Sequence, residues 1–236
     1  MSRITNGFYI KDTSTITGEP IVGIVSNILN ASKNVKTGNM AMLWILSDLA
    51  EPHKAVKTGS DSAVCGECPM RHNTGGACYV LPHHAPLSVY KAYKRGKYLE
   101  PNARTLEYLK GIPLRFGAYG DPLALSRPVL ERLLVNRSTH TAYSYQWREP
   151  DNQWARPYIM ASVHNNKDYE QAKDMGWSTF RVKRSSESIP GTVQCLNETI
   201  ARQCKDCTLC SGYSDAGKQR HITVNVHGAR LKRFGV

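Results

Sequence analysis

The alternation of apolar runs with amphipathic stretches along the chain predicts short buried strands separated by helices. Ala41–Ser47 (AMLWILS) is a continuous apolar run of strand length, and Leu114–Tyr119 (LRFGAY) is a second one. Runs of this kind are typical of strands buried on both faces of a parallel sheet. Further strands are predicted at Thr141–Trp147, Tyr158–Val163, Ser178–Lys183, Gly191–Gln194 and His221–His227. Helices are predicted at Pro86–Arg95, Ala103–Lys110, Leu123–Leu134 and Asp168–Met175.

This alternation of strands and helices favours parallel βαβ units in an α/β domain. About seven strands in 236 residues favour a complete or incomplete parallel β/α (TIM-like) barrel over an open doubly wound sheet. No glycine-rich phosphate-binding motif stands at a strand-to-helix turn, which also disfavours the open nucleotide-binding sheet. We therefore expect one domain over residues 1–236, with its core at about 34–227 and a basic tail at 228–236.

Seven cysteines in two groups carry the strongest chemical signal in the sequence. The N-terminal cysteine group has the spacing C-x₂-C-x₉-C and consists of Cys65, Cys68 and Cys78. The C-terminal cysteine group has the spacing C-x₈-C-x₂-C-x₂-C and consists of Cys195, Cys204, Cys207 and Cys210. A C-x₂-C-x₂-C run lets thiolates reach separate irons of one 4Fe–4S cluster. The odd number of cysteines argues against a disulfide framework, so we predict one or two 4Fe–4S clusters.

Zinc is the alternative metal at both groups. The C-terminal cysteine group would form a structural Cys₄ zinc site, and His72, His83 or His84 would complete a Cys₃His site with the N-terminal cysteine group. In a third arrangement both groups contribute ligands to a single cluster, and the remaining cysteines are ordinary buried thiols.

The barrel prediction places both cysteine groups on one rim, because catalytic groups of such barrels lie at the carboxyl ends of the strands. The N-terminal cysteine group follows the first predicted strand, Gly120 and Asp121 follow the second, and Cys195 follows the sixth. Asp121 would there receive a cationic amine, or would be an ordinary turn aspartate. Arg115 and Arg181 lie within predicted strands and need anionic partners if they point inward.

The formal net charge of +12 indicates a polyanionic partner, most simply nucleic acid. Each metal-bound thiolate would lower that charge by a unit. The segment SVYKAYKRGKY concentrates basic side chains among tyrosines, namely Lys91, Lys94, Arg95 and Lys97. It would contact phosphates and stack on bases, or form an amphipathic helix whose tyrosines face the core. The N-terminus lacks a signal-peptide pattern and no apolar run reaches membrane-spanning length, so we expect a cytoplasmic protein without a membrane partner.

Several segments together resemble the phage "gene product 88" domain family over about Asn34 to Gly212. They are SKNVKTGNMAMLWILS, CGECP, ACYV, RFGAYGDP, MASVHN, GWSTFRV and CLNETIARQCKDCTLCSG. The resemblance implies a phage protein in the cytoplasm of an infected bacterial host. The chain is also distantly similar to radical S-adenosylmethionine (SAM) enzymes, which carry three cluster cysteines after the first barrel strand and an acidic Gly-Gly-Glu-Pro-like turn after the second.

This second similarity implies that the N-terminal cysteine group holds a cluster with one open iron for SAM. It also implies that Gly120 and Asp121 bind the cofactor, with Asp121 as a catalytic residue. Two features depart from that pattern: the C-x₂-C-x₉-C spacing, and an aspartate in place of the usual glutamate. The leading hypothesis is thus an iron–sulfur protein related to radical SAM enzymes that acts on nucleic acid or a nucleotide. The alternatives are a non-enzymatic DNA- or RNA-binding phage protein with a structural iron–sulfur or zinc site, and a redox sensor.

Overall fold

The computed structural model describes residues 4–30 and 34–234, and it has a mixed α/β architecture with two five-stranded sheets. The first sheet has the order β1-β2-β3-β4-β5, with β1 antiparallel to β2, β2 antiparallel to β3, and β3, β4 and β5 parallel to one another. Its strands are β1 (Gly7–Thr13), β2 (Pro20–Ser26), β3 (Ala41–Ser47), β4 (Leu114–Tyr119) and β5 (His140–Thr141).

The second sheet is parallel throughout and has the order β6-β7-β8-β10-β9. Its strands are β6 (Tyr143–Ser144), β7 (Met160–Val163), β8 (Thr179–Lys183), β9 (Val193–Gln194) and β10 (His221–Asn225). A single residue, Ala142, separates β5 from β6, so the chain passes directly from one sheet into the other.

Short helices connect the strands: α1 (Pro52–Thr58), α2 (Ser62–Cys65), α3 (Ala85–Lys94), α4 (Ala103–Leu109), α5 (Arg127–Val135), α6 (Asn166–Asp174), α7 (Leu196–Ile200) and α8 (Cys204–Cys207). Turns of 3₁₀-helix lie at Pro122–Ala124, Gln146–Arg148, Pro150–Ala155 and Leu231–Arg233. Local sequence explains two of the helix starts, because the Asn102 and Asn165 side chains accept backbone N–H groups of the first turns of α4 and α6. Among the described residues no helix combines the length and apolarity needed to span a lipid bilayer.

The sequence analysis predicts no strand before Ala41, and this was wrong. β1 and β2 form an antiparallel hairpin that extends the first sheet beyond β3. Every residue of β2 after Pro20 is buried, including Gly23, which packs against Leu43 and Leu125. That glycine therefore marks close packing of a buried strand and not a turn.

The single strand predicted over Thr141–Trp147 was also wrong in its extent. The ladder is interrupted at Ala142, whose N–H donates to the Cys210 carbonyl, and it ends at Ser144. The next two backbone N–H groups donate to side chains and not to a neighbouring strand. The N–H of Tyr145 donates to Asp121 Oδ2, and the N–H of Gln146 donates to Ser144 Oγ. The other predicted strands coincide with observed ones, and their ends differ by at most two residues.

Candidate metallocluster site

All seven cysteines line one cavity of about 520 Å³. A cavity of this size lies within the range of roughly 300–1,000 Å³ that is usual for small-molecule and cofactor sites. Its walls come from both sheets, because Arg115 of β4, Thr141 of β5 and Tyr143 of β6 line it together with Phe180 of β8 and Val224 of β10. Alternate strand residues thus point into one shared interior.

The N-terminal cysteine group lies at the carboxyl ends of β3 and β4. Cys65 is the last residue of α2, which follows β3, and the preceding Val64 carbonyl accepts the Asp121 N–H at 2.6 Å. Because Asp121 follows β4, this hydrogen bond joins the cysteine loop to the next strand of the sheet. A second backbone bond, from Cys78 N–H to the Met70 carbonyl at 2.8 Å, closes the loop between Cys68 and Cys78 at residues 70–78.

A buried ion pair holds this loop in shape. Arg71 Nη2 lies 2.6 Å from Asp61 Oδ1, and its Nε donates to Asp61 Oδ2 at 3.1 Å. The same guanidinium donates to the carbonyls of Gly66 at 2.7 Å and Gly59 at 3.0 Å. Arg71 therefore connects both ends of α2 to the segment between Cys68 and Cys78. The sequence analysis did not single out this pair.

Burial raises the pKa of each thiol in the N-terminal cysteine group, and for Cys68 it does so to about 12. The neighbouring thiols add to the effect on Cys65, followed by Asp61 and Asp121. Without a nearby cation these side chains are neutral thiols at ordinary pH. A metal centre would supply the positive charge that converts them to thiolates.

The C-terminal cysteine group encloses the other side of the cavity. Cys195 follows β9 and donates its N–H to the Thr223 carbonyl at 2.8 Å. Cys204 and Cys207 lie three residues apart on α8, which places them on the same face of a helical turn. Thr208 then has a φ of 55°, a left-handed conformation that turns the chain back so that Cys210 also lines the cavity.

The expectation that both cysteine groups lie on one rim needs correction. Cys204 donates its N–H to the Lys36 carbonyl, in the segment that precedes β3, and the Cys210 carbonyl accepts from Ala142 between β5 and β6. Nearby, Ser178 Oγ, just before β8, donates to the Gly212 carbonyl. Cys195 thus lies at the carboxyl end of β9 as expected, whereas the chain then runs on to place Cys204 near the segment that precedes β3 and Cys210 near the start of β6.

Tyr143 and Arg115 lie beside thiols of the C-terminal cysteine group, Tyr143 beside Cys210 and Arg115 beside Cys204. Burial raises the pKa of Cys210 to about 12, against a hydrogen bond donated by the Tyr143 hydroxyl, which favours the thiolate. Burial also raises the pKa of Cys204, and the Arg115 charge opposes this rise. Hydrogen bonds and positive charges near cluster sulfurs are among the features that set the reduction potential of an iron–sulfur centre.

Gly120 and Asp121 line the cavity, and both have structural roles. Gly120 has a φ of 82°, and a Cβ there would lie 2.5 Å from the Ile45 carbonyl oxygen of the adjacent strand. Asp121 accepts the N–H groups of Leu123 at 2.9 Å and Tyr145 at 2.7 Å. Burial raises the pKa of this carboxyl to about 6, with these hydrogen bonds acting in the opposite direction. The contacts match those of a turn aspartate that fastens the end of β6.

The histidines named as zinc ligands are placed differently from one another. His72 lines the cavity, but its Nε2 contacts the Cys78 carbonyl at 2.7 Å. His83 and His84 contact each other edge to face with ring centroids 4.4 Å apart, are exposed, and are absent from the cavity wall. His164 lines the cavity, and its buried Nε2 has no hydrogen-bond partner among the described residues.

The basic segment 91–97 lies on and just after α3, outside the cavity wall. Tyr90 and Tyr93 are buried, which agrees with an amphipathic helix whose tyrosines face the core. Lys94 bonds to Asp48 at 2.7 Å and lies over both tyrosine rings, so it is used within the fold. Lys91, Arg95 and Lys97 are exposed on the surface.

The donor chemistry of the cavity fits a thiolate-bound metal cluster. All seven cysteines are free, and within each group thiols are close enough to raise one another's pKa. In the described ranges, no three side chains of His, Cys, Asp or Glu converge closely enough to bind one metal ion. A single tetrahedral zinc needs its sulfurs about 2.3 Å from one point, whereas the cysteines of a cluster bind separate irons. Either metal would need thiolates, and the seven free cysteines are the residues that would supply them.

Comparisons of the chain with protein-family models, with curated proteins and with solved structures give no match. The class of site therefore rests on the chain's own geometry: a mixed α/β protein whose free cysteines surround one internal cavity.

Proposed function

We propose that this protein binds one or two iron–sulfur clusters in the cavity between its two sheets. One observation carries the proposal: all seven cysteines, although up to 145 positions apart in the sequence (65 to 210), line the same cavity. Seven free thiols meeting in one interior are not needed to stabilise a chain of this length. Thiolates are also the ligands that hold iron–sulfur clusters.

The C-terminal cysteine group would hold a cluster with all four irons occupied by protein ligands. Its four thiols surround one side of the cavity, with the Tyr143 hydroxyl as a donor to Cys210 and the Arg115 charge nearby. These two side chains would stabilise the additional negative charge of the reduced state. The arrangement suits an electron-transfer or structural centre, since no ligand position is left for a substrate.

The N-terminal cysteine group would hold a cluster that keeps one iron open. Such a cluster supplies an electron and a coordination position, which radical SAM enzymes use for the amino-acid end of SAM. This chain's part is to hold Cys65, Cys68 and Cys78 in place through the Arg71–Asp61 pair, beside the cavity. The shared interior lined by alternate residues of both sheets supports an incomplete β/α barrel. We propose a radical SAM-like enzyme on this basis.

The partner class in this proposal is nucleic acid or a nucleotide, and its support is the formal net charge of +12. Lys91, Arg95 and Lys97 form an exposed basic surface outside the cavity wall. A polyanion would bind there while a nucleotide group enters the cavity. A non-enzymatic nucleic-acid-binding protein with structural metal would use the same surface and needs no open iron. The phage origin that the sequence resemblance implies belongs to this proposal as well.

The test is anaerobic purification followed by counting of iron, acid-labile sulfide and zinc per chain. We expect a brown protein with iron and sulfide in equal amounts and an EPR signal after reduction. Cys68→Ser should remove the signal that changes when SAM is added, and Cys207→Ser should remove the other signal. The control is Ser186→Ala, which changes an exposed serine outside both cysteine groups and outside the cavity wall. Zinc without sulfide in protein never exposed to oxygen would refute the proposal.

A further inference from the structure

Arg115 is a charged residue of the cavity wall whose hydrogen-bonding groups are only partly used by the fold. It lies on β4 and faces the interior, between Tyr79, which follows Cys78, and the C-terminal cysteine group. Its Nη2 donates to the Tyr79 hydroxyl. Its Nε is buried and has no hydrogen-bond partner in the described part of the chain.

Two buried arginines of this protein, Arg71 and Arg181, have carboxylate partners. Arg71 pairs with Asp61 at 2.6 Å, and Arg181 lies 3.6 Å from Glu187. Within residues 4–30 and 34–234, Arg115 makes no ion pair. Burial opposes its charge, whereas the neighbouring Tyr79, Tyr143 and Cys204 raise its pKa, so the guanidinium remains charged. The cluster of the proposed function would place negative charge beside Cys204, but it would not use the buried Nε donor, and a buried charge whose donors are unused is costly unless a ligand binds them.

Thr141 provides a second, independent observation at the same place. It is paired with Arg115 across the parallel ladder of β4 and β5, so the two side chains are neighbours on one face. Thr141 is 3% exposed and lines the cavity, yet its buried hydroxyl has no partner in the described ranges. A buried donor left unpaired costs about 1–3 kcal/mol, and most buried polar groups are paired.

We propose that Arg115 and Thr141 form a subsite that binds the anionic oxygen group, carboxylate or phosphate, of a small molecule held in the cavity. An oxyanion there accepts from both unpaired donors and balances the guanidinium charge. The Tyr79 contact fixes the guanidinium orientation, and this residue presents parallel N–H groups that suit both anions.

The rest of the wall indicates what the anion is attached to. Next to the subsite, Tyr143 and Phe180 pack with ring centroids 4.0 Å apart, and Val182 and Val224 continue the surface. The ligand therefore has an anionic head and an apolar or planar body that contacts these rings. This assignment concerns the cavity of the proposed function, but it depends on protein donors and not on a cluster.

The experiment measures binding of two probes, inorganic phosphate and acetate, by isothermal calorimetry and by the shift in thermal unfolding midpoint. We expect one or both probes to bind the wild-type protein. Arg115→Gln should weaken binding at least tenfold, Thr141→Val several-fold, and Arg115→Lys less than Arg115→Gln. The stronger probe identifies the anion class. Arg132→Gln, which removes an exposed arginine outside both the cavity wall and the basic surface of residues 91–97, is the matched control and should bind as wild type does.

Three results would overturn the proposal. In the first, neither probe binds the wild-type protein. In the second, Thr141→Val and folded Arg115→Gln bind both probes as tightly as the wild type. In the third, Arg115→Gln alters only the iron content or reduction potential of the C-terminal centre, which would make Arg115 a cluster neighbour and nothing more. Protein that contains no iron but loses anion binding in Arg115→Gln would refute the cluster and leave the subsite standing.

Discussion

Replacing Arg71 by methionine should destabilise the protein and weaken cluster binding by the N-terminal cysteine group. The Asp61 and Arg71 side chains are 3% and 6% exposed, so the substitution leaves a buried carboxylate without its counter-charge. Removing one partner of a buried pair costs about 3–5 kcal/mol. The Gly59 and Gly66 carbonyls also lose their donor, and both flank α2, which carries Cys65.

Urea unfolding of the iron-free protein gives the stability change, which we expect to be within that range of about 3–5 kcal/mol. The double variant Asp61→Asn/Arg71→Met removes the stranded carboxylate as well and should recover a substantial part of the loss. Arg95→Met, which removes an exposed arginine, should change stability by less than about 0.5 kcal/mol. After cluster reconstitution, Arg71→Met should also retain less iron than the wild type.

The reasoning fails if Arg71→Met unfolds within about 0.5 kcal/mol of the wild type. It also fails if the double variant is no more stable than the single one, because then the buried Asp61 charge is not the source of the cost. A stable Arg71→Met protein with full iron content would show that the N-terminal cysteine group does not depend on this pair.

Three further predictions follow from single side chains. Burial lowers the pKa of His140 to about 4, so folding keeps it neutral and stability falls as pH drops from about 6.5 to 4. Urea unfolding across that window should show this loss, roughly 2–3 kcal/mol, in the wild type relative to His140→Gln, which lacks the titrating group. Gly120→Ala should lower stability by well over about 1 kcal/mol in thermal unfolding, because its φ of 82° is unfavourable and its Cβ meets the Ile45 carbonyl; Gly96→Ala, with a φ of 68° and open space, should cost less. Tyr143→Phe removes the hydroxyl that donates to Cys210 of the proposed C-terminal cluster. If this hydrogen bond stabilises the reduced cluster by roughly 1 kcal/mol more than the oxidised one, a redox titration should show a reduction potential about 40 mV lower. An unchanged potential would exclude that hydrogen bond.

Strand positions in this protein follow largely from local pattern. β3 and β4 begin and end at the predicted residues, because continuous apolar runs bounded by turn residues leave few other ways to bury those side chains. The hairpin of β1 and β2 escaped prediction, and its place in the first sheet depends on pairing with β3, which lies further along the chain. The interruption of the strand at Ala142 likewise depends on a hydrogen bond that its N–H donates to the carbonyl of Cys210, a residue 68 positions away.

The cysteine-rich character of the site is readable from the sequence, because cysteine spacing within each group is a local property of the chain. That both groups line one cavity depends on long-range contacts, such as that of Cys204 with Lys36, which no local pattern specifies. The same is true of Arg115 and Thr141, which are 26 positions apart and become neighbours through strand register. Whether a buried arginine has a counter-charge depends on which distant residues surround it, and the local sequence pattern does not indicate which residues those are.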